Sequence, residues 1–312
     1  MLCSRCRKEA VTLIRYNGEH LCDEHFLAFF EKRVKSEISR QCRLRGRATI
    51  AVALSGGKDS TVAALLLQEI FAGRKDLEIH AITVDEGICD YRPRALKLGR
   101  RFCEERGIPH HIIRFEETFG LTMDEIVERD PKTIPCAYCG VLRRYCLNVK
   151  AREIGGTVLS TGLNLDDTSQ SILMNLARGD VERLARLGPH ANVQPGLVPR
   201  IQPLRMIPEK ETYLYALLRG IEIYEMECPH SGRAQRGRFR EVIDILESES
   251  PGTRHSILSA YDSLAPLLLQ KYPPGELNEC KACGEPTGKE VCRACEMLER
   301  LRNIKIEGSS SL

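Results

Sequence analysis

The six residues Ser55-Gly56-Gly57-Lys58-Asp59-Ser60 follow an apolar segment and have the composition of an anion-binding loop. Two adjacent glycines let the backbone approach a ligand without obstruction by Cβ atoms. The free N–H groups of the turn, and of the helix that follows it, then point at the anion. The lysine adds a positive charge and the last serine a hydroxyl. A Gly-Gly pair alone would indicate only a tight turn, whereas this combination after a strand favours phosphate binding.

Cysteines form the second set of candidate chemical residues. Cys136 and Cys139 make a C-x2-C pair in the segment PCAYCG, and Cys228 lies far along the chain in the segment ECP. These three residues are called the cysteine triad below. Three thiolates suit a [4Fe–4S] cluster in which one iron is free to bind an exogenous ligand. Two alternatives remain open, namely a redox pair and a zinc site in which His230 is the fourth ligand.

Each end of the chain carries a further set of cysteines with the spacing of a metal site. The first set provides four ligands from two tight turns, and the second does the same with thiolates only. Closed sets of this kind are typical of structural Zn²⁺, whose binding supplies folding energy to very small modules. The predicted zinc ligands are Cys3, Cys6, Cys22 and His25 in the N-terminal module, and Cys280, Cys283, Cys292 and Cys295 in the C-terminal module.

The composition is that of a globular chain without membrane spans. Of the 312 residues, 42% are hydrophobic and 29% are charged. No stretch approaches the roughly 18 consecutive apolar residues of a membrane span, and the start MLCSRCRKEA lacks the apolar core of a signal peptide. Disulfides are rare in the cytoplasm, where we expect this protein. The cysteines outside the three sets are therefore predicted to be buried apolar residues, namely Cys42, Cys89, Cys103 and Cys146.

Arginines cluster twice, although the net charge is only +3. Such a mild overall charge does not by itself identify a nucleic-acid-binding protein. Each run is interpreted either as a solvated face or as a contact surface for nucleic-acid phosphates. The first run comprises Arg40, Arg43, Arg45 and Arg47, and the second comprises Arg233, Arg236, Arg238 and Arg240.

Strands and helices must alternate along the chain to position the loop and the thiols. The segment from Thr49 to Leu54 is apolar throughout, as expected of a parallel strand that is covered on both faces. The alternation predicts an α/β fold with a parallel sheet and helices on both faces. Further strands are predicted at 79–84, 111–115 and 157–160. Helices are predicted at 26–41, 59–71, 93–107, 166–177 and 251–270, and another is expected to end at Gly155-Gly156. Residues 209–219 are assigned to a final unit of the core.

The phosphate-binding loop resembles that of one superfamily in particular. It lacks the G-x4-G-K-[ST] pattern of a Walker A loop and matches the SGGxDS pattern of the PP-loop ATP pyrophosphatases. In that superfamily ATP is cut between its α- and β-phosphates, which implies an adenylating enzyme that uses ATP and Mg²⁺. Adenine is expected where the second strand ends. The implied nucleotide site comprises Ala53, Leu54, Ser55, Gly56, Gly57, Lys58, Asp59, Ser60, Val84, Asp85, Gly162 and Asp167.

Three longer segments, CAYCGVLRRYCLN, TGLNLDDTSQSILMNLARGD and EGICDYR, together resemble the cytosolic tRNA 2-thiolation enzymes of archaea and eukaryotes. The similarity extends over nearly the whole chain and includes both terminal modules. It implies that the cysteine triad holds a [4Fe–4S] cluster. It also implies that Lys58, Asp59 and Asp167 serve ATP binding and activation.

Two positions bear on the branch of this family to which the chain is similar. Relatives that thiolate the T-loop uridine carry lysine where this chain has Arg143, and the wobble-uridine branch has arginine there. We therefore expect the wobble-uridine branch, with Arg143 among the catalytic residues. Leu163 departs from the TGHN motif of the family, which has histidine at this position, so no catalytic role is assigned to it.

The predicted function is ATP-dependent 2-thiolation of a tRNA uridine, in which the C2 oxygen is adenylated and sulfur is then transferred by way of the cluster. The expected partners are tRNA, bound by the second arginine run, and a sulfur donor, either a ubiquitin-like thiocarboxylate protein or inorganic sulfide. A homodimer is also expected. Alternatives are thiolation of the T-loop uridine or an anticodon-loop cytidine, a PP-loop ligase or amidotransferase without sulfur chemistry, and a non-catalytic zinc-ribbon RNA-binding protein.

These features together predict five consecutive segments. They are an N-terminal zinc finger over 1–26, a linking helix over 27–47, a PP-loop catalytic domain over 48–272, a C-terminal zinc ribbon over 273–300 and a tail over 301–312.

Overall fold

The computed structural model describes residues 1–190, 193–224, 226–233 and 236–304. In chain order the strands are β1 (Thr12–Ile14), β2 (Glu19–Leu21), β3 (Ala48–Ala53), β4 (Leu77–Asp85), β5 (His110–Arg114), β6 (Val158–Ser160), β7 (Arg200–Ile201), β8 (Asn278–Glu279) and β9 (Pro286–Thr287). The helices are α1 (Asp23–Gln41), α2 (Lys58–Phe71), α3 (Arg92–Arg106), α4 (Phe115–Phe119), α5 (Met123–Arg129), α6 (Pro135–Glu153), α7 (Leu165–Ala177), α8 (Val181–Ala185), α9 (Glu209–Leu218), α10 (Arg236–Glu249), α11 (Thr253–Lys271) and α12 (Arg293–Asn303). Within these ranges we find no helix with both the length and the apolar character that crossing a bilayer requires.

Strands β3 to β7 form one parallel sheet in the order β5-β4-β3-β6-β7. The central strand β3 has side chains that alternate between two cores, because Ile50 and Val52 pack on one face and Ala51 on the other. Since all five strands run in the same direction, their carboxyl ends meet at one edge of the sheet. The loops that leave β3, β4, β6 and β7 therefore converge at this carboxyl edge.

Helices cover both faces of the sheet, and each terminal module joins a different face. On one face the core combines Phe26 and Phe30 of α1 with the leucines of α2 and with Tyr215 of α9. On the other face it combines Leu142 of α6 with Leu301 of α12. The N-terminal cysteine module extends the first core and the C-terminal module extends the second. The predicted α/β class, with a parallel sheet between helical layers, is confirmed.

Helix α6 carries two triad cysteines and is anchored near its N-terminal end. Pro135 lies in its first turn, where the missing N–H of proline leaves no hydrogen bond unmade. The hydroxyl of Tyr138 donates to the buried carboxylate of Asp130 at 2.8 Å. Arg300 of α12 lies 3.1 Å from the same carboxylate oxygen. The C-terminal helix therefore helps to hold the beginning of α6 in place.

The N-terminal helix belongs to the core and is not a free linker. The sequence predicts a linking helix over 27–47, whereas α1 begins at Asp23 and ends at Gln41. The ring of Phe30 stacks on Tyr215 of α9, with ring centroids 4.2 Å apart. The apolar side chains of α1 recur at the helical period and face the core, which accounts for the packing of this helix.

Two elements later in the chain also differ from the prediction. Helix α12 continues to Asn303 with Leu301 buried, so the tail predicted from 301 begins inside a helix. Residues 305–312 of that predicted tail lie outside the described residues. Strand β7 is not predicted, because two residues between Pro199 and Pro203 carry no periodic signal. The other predicted strands of the sheet lie within two residues of their observed limits.

Candidate active site at the carboxyl edge of the sheet

The loop between β3 and α2 forms a tight turn at the carboxyl edge. Gly56 has a left-handed conformation (φ +85°), and a Cβ atom there would lie 2.2 Å from the carbonyl oxygen of Ala95, so only glycine fits. The hydroxyls of Ser55 and Ser60 lie 3.0 Å apart and close the turn. Among the described residues, the backbone N–H groups of Lys58, Asp59 and Ser60, at the start of α2, have no acceptor. A helix N-terminus of this kind attracts an anion.

The remaining residues of the predicted nucleotide site surround this loop, and Ala53 is the last residue of β3. Leu54 and Val84 are buried. Asp85 ends β4 and accepts a hydrogen bond of 3.0 Å from a backbone N–H two residues later. Gly162 follows β6, and a Cβ atom there would lie 2.7 Å from the backbone nitrogen of Ser60. A larger residue at this glycine would push the β6 loop away from the phosphate loop.

Lys58 lies between two carboxylates. Its Nζ atom is 3.0 Å from Asp59 Oδ2 and 2.8 Å from Glu209 Oε1, at the start of α9. Burial acts to lower the pKa of the lysine, but the two carboxylates outweigh burial and raise it. Burial likewise opposes the ionised form of Glu209, yet the lysine lowers the pKa of this carboxyl. Lys58 is therefore held as a cation beside the loop.

Asn164 connects the two aspartates of the predicted site. Its Nδ2 atom donates to Asp59 Oδ1 at 3.1 Å, and its Oδ1 atom accepts from the backbone N–H of Asp167 at 3.0 Å. Burial raises the pKa of the Asp167 carboxyl, Arg236 at 3.0 Å opposes this effect, and the nearby charge of Asp59 adds to it. Two carboxylates that repel each other in this way can share a divalent cation.

The neighbouring Asp166 has a structural position instead. Its Oδ2 atom accepts from the backbone N–H of Glu209 at 2.7 Å, and its Oδ1 atom lies 2.7 Å from Arg254 Nε. These contacts tie α7 to α9 and α11. Leu163, which departs from the family motif, is exposed.

The cysteine triad lies at the same carboxyl edge. Cys136 and Cys139 occupy the first turns of α6, and Cys228 comes from a loop whose continuation contacts this helix. Burial raises the pKa of the thiols of Cys139 and Cys228, and the charge of Cys136 raises both further. Within the described ranges, the three sulfur atoms do not all lie within 4.8 Å of one another. This separation suits a cluster of several iron atoms better than a single tetrahedral ion.

His230, the candidate fourth ligand of a zinc site, contacts a carboxylate. Its Nε2 atom lies 2.6 Å from Asp124 Oδ1. The other carboxylate oxygen of Asp124 accepts from the backbone N–H of Cys89 at 2.8 Å. This contact occupies one ring nitrogen only, and a carboxylate partner is common for a metal-bound histidine, so the zinc alternative stays a prediction.

The four cysteines outside the metal sets differ in exposure. Cys103 and Cys146 are buried as predicted, and burial raises the pKa of each thiol to about 12. Cys42 is half-buried, with its thiol pKa raised by burial. Cys89 is exposed, so the prediction is wrong for this residue. Its loop at the carboxyl edge is held through the backbone, which leaves the thiol at the surface.

A chain of charged residues joins the phosphate loop to the triad. Arg92, only 4% exposed, donates to the carbonyl oxygen of Ser55 at 3.1 Å and pairs with Glu86 at 2.7 Å. Glu86, 2% exposed, also lies 2.7 Å from Arg143 Nε. The carboxylate raises the pKa of Arg143, whose Nη2 atom lies 3.1 Å from Cys139 Sγ. Breaking one of these ion pairs would leave a buried charge unpaired, which is costly. The row of ion pairs therefore holds the phosphate loop and the triad in a defined relative position.

Each terminal set forms a closed group of four ligand atoms that all lie within 4.8 Å of one another. Two sulfur ligands of a tetrahedral zinc ion, each about 2.3 Å from the metal, lie about 3.8 Å apart. The Sγ atoms of Cys6 and Cys22 are 3.6 Å apart, and those of Cys283 and Cys292 are 3.7 Å apart. His25 directs Nδ1 towards Cys22 Sγ at 3.3 Å. Each donor set therefore fits one tetrahedral ion.

Backbone hydrogen bonds favour one thiolate in each terminal set. Burial disfavours the thiolates of Cys3 and Cys280, but backbone N–H groups outweigh burial and lower both pKa values to about 6. The donors include Arg5 N, 3.4 Å from Cys3 Sγ, and Cys292 N, 3.2 Å from Cys280 Sγ. The thiolate is the form that binds a metal ion.

The second arginine run divides into inward and outward residues. Arg236 pairs with Asp167 at the site. Arg238 and Arg240 are exposed at the start of α10. The side chain of Arg233 lies outside the described residues.

The first arginine run lies away from the site. Its later members precede β3 and are therefore at the amino edge of the sheet. Arg40 pairs with Glu37 at 2.7 Å, and Arg47 with Glu78 at 3.0 Å. This placement favours the interpretation of the run as a solvated face.

Sequence reasoning missed four residues of the site. Asn164 precedes Asp167 by three residues, a spacing typical of a capping box, and this signal could have identified it. Glu86 and Arg92 are the first and last residues of the segment EGICDYR, but nothing in the segment indicates that they pair. Glu209 reaches Lys58 across more than a hundred residues, a contact that local patterns do not predict.

The chain is similar to known proteins over nearly its whole length. Residues 2–27 match the family described as the N-terminal LIM domain of the 2-thiouridine synthetase TtuA, and residues 29–246 match the PP-loop domain. The tRNA 2-thiolation protein NcsA of Haloferax volcanii is 39% identical, over 97% of this chain and all of that protein. The tRNA-5-methyluridine(54) 2-sulfurtransferase of Pyrococcus horikoshii is 32% identical, over the whole of this chain and 98% of that protein.

A solved structure is similar over almost the same length. It is the U34-tRNA thiolase NcsA from Methanococcus maripaludis with its [4Fe–4S] cluster. It is 36% identical, the similarity covers 96% of each chain, and the TM-score is 0.84. The predicted resemblance is thus confirmed, and the chain belongs to the tRNA 2-thiolation family of PP-loop proteins.

Proposed function

We propose that this chain is an ATP-dependent tRNA 2-thiouridine synthase that acts on the wobble uridine. The observation that carries the proposal is the connection of the phosphate loop to the cysteine triad through buried Arg92 and Glu86. A phosphate loop alone would suit any adenylating enzyme, and three thiols alone would suit many metal proteins. A protein in which the two sites are connected is suited to activation followed by sulfur transfer. The 39% identity to a protein named for tRNA 2-thiolation supports the same function.

The first step is activation of the uridine by ATP. Lys58 and the N-terminus of α2 bind the phosphates through charge-assisted and backbone hydrogen bonds. Asp59 and Asp167 hold the Mg²⁺ that accompanies ATP, which also relieves their mutual repulsion. The C2 oxygen of the uridine attacks the α-phosphorus, and pyrophosphate leaves. The oxygen then departs with AMP, a far better leaving group than oxide.

The second step is delivery of sulfur to C2. The triad suits a [4Fe–4S] cluster because three thiolates leave one iron without a protein ligand. When bound, the cluster supplies this iron as the carrier of the sulfur. Arg143, held by Glu86, stabilises the thiolate of Cys139 and orients it.

We assign Zn²⁺ to both terminal sets, with a structural role. The sulfur separations of 3.6 and 3.7 Å support this assignment, since they match the edge of a zinc tetrahedron of about 3.8 Å. Each set is closed by four protein ligands, so neither leaves a position for a substrate.

Several features support the wobble uridine over the T-loop uridine. Arg143 is the residue expected of the wobble branch. The thiolase named for U34 is 36% identical to this chain, and the sulfurtransferase named for position 54 is 32% identical. The proposed tRNA contacts include the exposed Arg238 and Arg240, together with Arg233. We further propose that the chain acts as a homodimer in the cytoplasm, with a ubiquitin-like thiocarboxylate protein or sulfide as sulfur donor.

Mass spectrometry of tRNA nucleosides from a deletion strain tests this function. We expect 2-thiouridine derivatives to disappear from the wobble position, to return with the wild-type gene, and to stay absent with Cys228→Ala. Loss at position 54 instead would identify the T-loop alternative. A full complement of 2-thiolated uridine in the deletion strain would overturn the proposal.

A further inference from the structure

Arg236 pairs with a carboxylate that is assigned to the Mg²⁺ of ATP. Its Nη1 atom lies 3.0 Å from Asp167 Oδ1, and its Nη2 atom lies 3.2 Å from Ser171 Oγ. The second carboxylate oxygen, Asp167 Oδ2, accepts from the backbone N–H of Asn164 at 3.3 Å. The arginine and a metal ion therefore compete for the same carboxylate.

Four charged residues form a line in which two cations flank two carboxylates. At one end, Lys58 Nζ is 3.0 Å from Asp59 Oδ2. Asn164 joins Asp59 to Asp167 through contacts of 3.1 and 3.0 Å, and Arg236 lies at the other end. An Mg²⁺ ion bound between the two carboxylates would repel the cations at both ends, which would then favour the phosphate oxygens of ATP.

The pair between Arg236 and Asp167 is suited to exchange rather than to permanent support. The arginine side chain is 41% exposed and that of the aspartate 28%, and ion pairs that reach solvent contribute little to stability. Both residues also line a cavity of about 180 Å³, so the guanidinium has room to leave the carboxylate. The neighbouring pair of Asp166 and Arg254 differs, because both of its residues are buried.

Helix α10 is anchored at the end opposite to Arg236. Near the anchored end, the Glu247 carboxylate accepts from the backbone N–H groups of Gly252 at 2.8 Å and of Arg254 at 2.9 Å. Within the described helix, Ile243 is the one buried side chain. A segment with so few buried apolar contacts moves at low cost. The start of α10 can therefore follow Arg236 when the arginine changes its partner.

We propose that Arg236 is a second phosphate-binding cation of the activation step, held by Asp167 until Mg²⁺ and ATP arrive and then transferred to the phosphate chain. This inference rests on the proposed function, because it requires Asp59 and Asp167 to hold the metal that accompanies ATP. A guanidinium binds two phosphate oxygens at once through parallel N–H donors. Lys58 approaches the phosphates from the loop and Arg236 from α10, so positive charge surrounds the pyrophosphate as it leaves.

An RNA phosphate is a poorer partner for Arg236 than a phosphate of ATP. The RNA backbone would have to approach the Asp167 carboxylate, which repels it, whereas ATP brings its own Mg²⁺. Arg238 and Arg240 of the same helix are exposed, which suits contacts with an RNA backbone. The second arginine run thus divides by substrate, with its inward residue serving ATP and its exposed residues serving tRNA.

Two binding measurements with opposite expected signs test this role. Mn²⁺ alone, followed by electron paramagnetic resonance, should bind Arg236→Gln several-fold more tightly than the wild type, because the competing cation is gone. A non-hydrolysable ATP analogue with Mg²⁺, followed by calorimetry, should bind this variant roughly ten-fold more weakly, because a charge-assisted phosphate contact is lost. A structural defect would instead weaken both ligands together.

Arg74→Gln is the matched control, and it should leave both affinities unchanged. Arg74 also pairs with an aspartate, Asp76 at 2.6 Å, but it precedes β4 at the opposite edge of the sheet. The salt dependence of tRNA binding separates ATP from RNA as the partner. Arg236→Gln should keep the wild-type slope of log K against log salt, and Arg238→Gln should reduce that slope by roughly 0.7 to 0.9.

Three results would overturn the inference. They are an Mn²⁺ affinity of Arg236→Gln at or below that of the wild type, an unchanged affinity for the ATP analogue, and a reduced salt slope for tRNA in this variant. Arg236→Lys serves if the glutamine variant does not fold. It keeps the charge but not the paired donors, so it should bind the analogue a few-fold more weakly, and an unchanged affinity would equally overturn the inference. Failure of the proposed function is recognised separately, because the wild-type protein would then form no 2-thiouridine.

Discussion

The terminal cysteine sets and the cysteine triad use the same C-x2-C pair but build different sites. In the terminal sets all four ligand atoms lie within 4.8 Å of one another, and the measured sulfur pairs are 3.6 and 3.7 Å apart. The triad does not form such a group among the described residues. A pair of cysteines two residues apart therefore does not define a metal site by itself. The ligands added from elsewhere decide whether one ion or a larger cluster fits.

The two kinds of site also differ in how their thiolates are stabilised. In the terminal sets, backbone N–H groups overcome burial and lower the pKa of Cys3 and Cys280 to about 6. In the triad, burial raises the pKa of Cys139, and the charge of Arg143 only partly opposes this. The thiolates of the terminal modules are thus stabilised by the backbone of their own turns. In the triad, the arginine that opposes burial is paired with the distant Glu86, whose own charge raises the pKa of Cys139.

Removing one triad thiol should have the largest effect. Cys228→Ala should abolish thiolation and the anaerobic iron–sulfur absorbance, because two thiolates do not retain a [4Fe–4S] cluster. The terminal sets should keep their metal, two Zn²⁺ per chain by elemental analysis, since their ligands are elsewhere. Cys89→Ala is the control, an exposed cysteine outside all three sets, and should remain active. Loss of zinc together with iron would show that the terminal sets and the triad do not bind their metals independently.

Removing an activating carboxylate should abolish turnover without touching either metal site. Asp59→Ala should slow tRNA-dependent pyrophosphate release by roughly 10²- to 10³-fold, the usual effect of losing one preorganised charge at a reacting centre. Iron and zinc contents should stay at wild-type values. Cys228→Ala should still release pyrophosphate. If the cysteine variant loses pyrophosphate release as completely as Asp59→Ala, activation and sulfur delivery are not separable.

Glu86→Gln tests the dependence of the triad on a distant residue. The amide keeps the size of the side chain but removes the charge that orients Arg143, so thiolation should fall roughly 10- to 100-fold, as for other partners of metal ligands. Zinc content should not change. Glu117→Gln is a matched control, because it breaks an exposed pair with Arg114. Equal activity of the two variants would show that the triad needs no such support.

Removing one terminal ligand should have the smallest effect on chemistry. Cys283→Ala should release one Zn²⁺ and loosen the C-terminal module, since the metal supplies most of the folding energy of so small a unit. Thiolation should fall only several-fold, measured at saturating ATP and tRNA. Cys42→Ala, a half-buried cysteine outside the sets, should keep both zinc ions. A Cys283→Ala protein that retains two zinc ions would refute the assignment of that set.

Local patterns predict part of this molecule well and long-range contacts poorly. The phosphate loop, β3 and both terminal sets could be predicted because each is encoded within a few consecutive residues or at fixed spacing. Strand β7 could not be predicted, because a strand of two residues between prolines carries no periodicity. The pairing of Glu86 with Arg92 and Arg143 depends on how α3 and α6 pack on the sheet. The contact of His230 with Asp124 depends on folding in the same way, because the two residues are far apart in the sequence.

The contact of Arg300 with the Asp130 carboxylate, which also accepts from Tyr138, has a consequence for the living cell. It links the C-terminal module to the turn of α6 from which Cys136 and Cys139 project. Under the proposed metal assignment, a cell short of zinc would lose support for a cluster that contains only iron and sulfur. The supply of modified tRNA for decoding would then respond to zinc as well as to iron, although zinc takes no part in the proposed sulfur transfer.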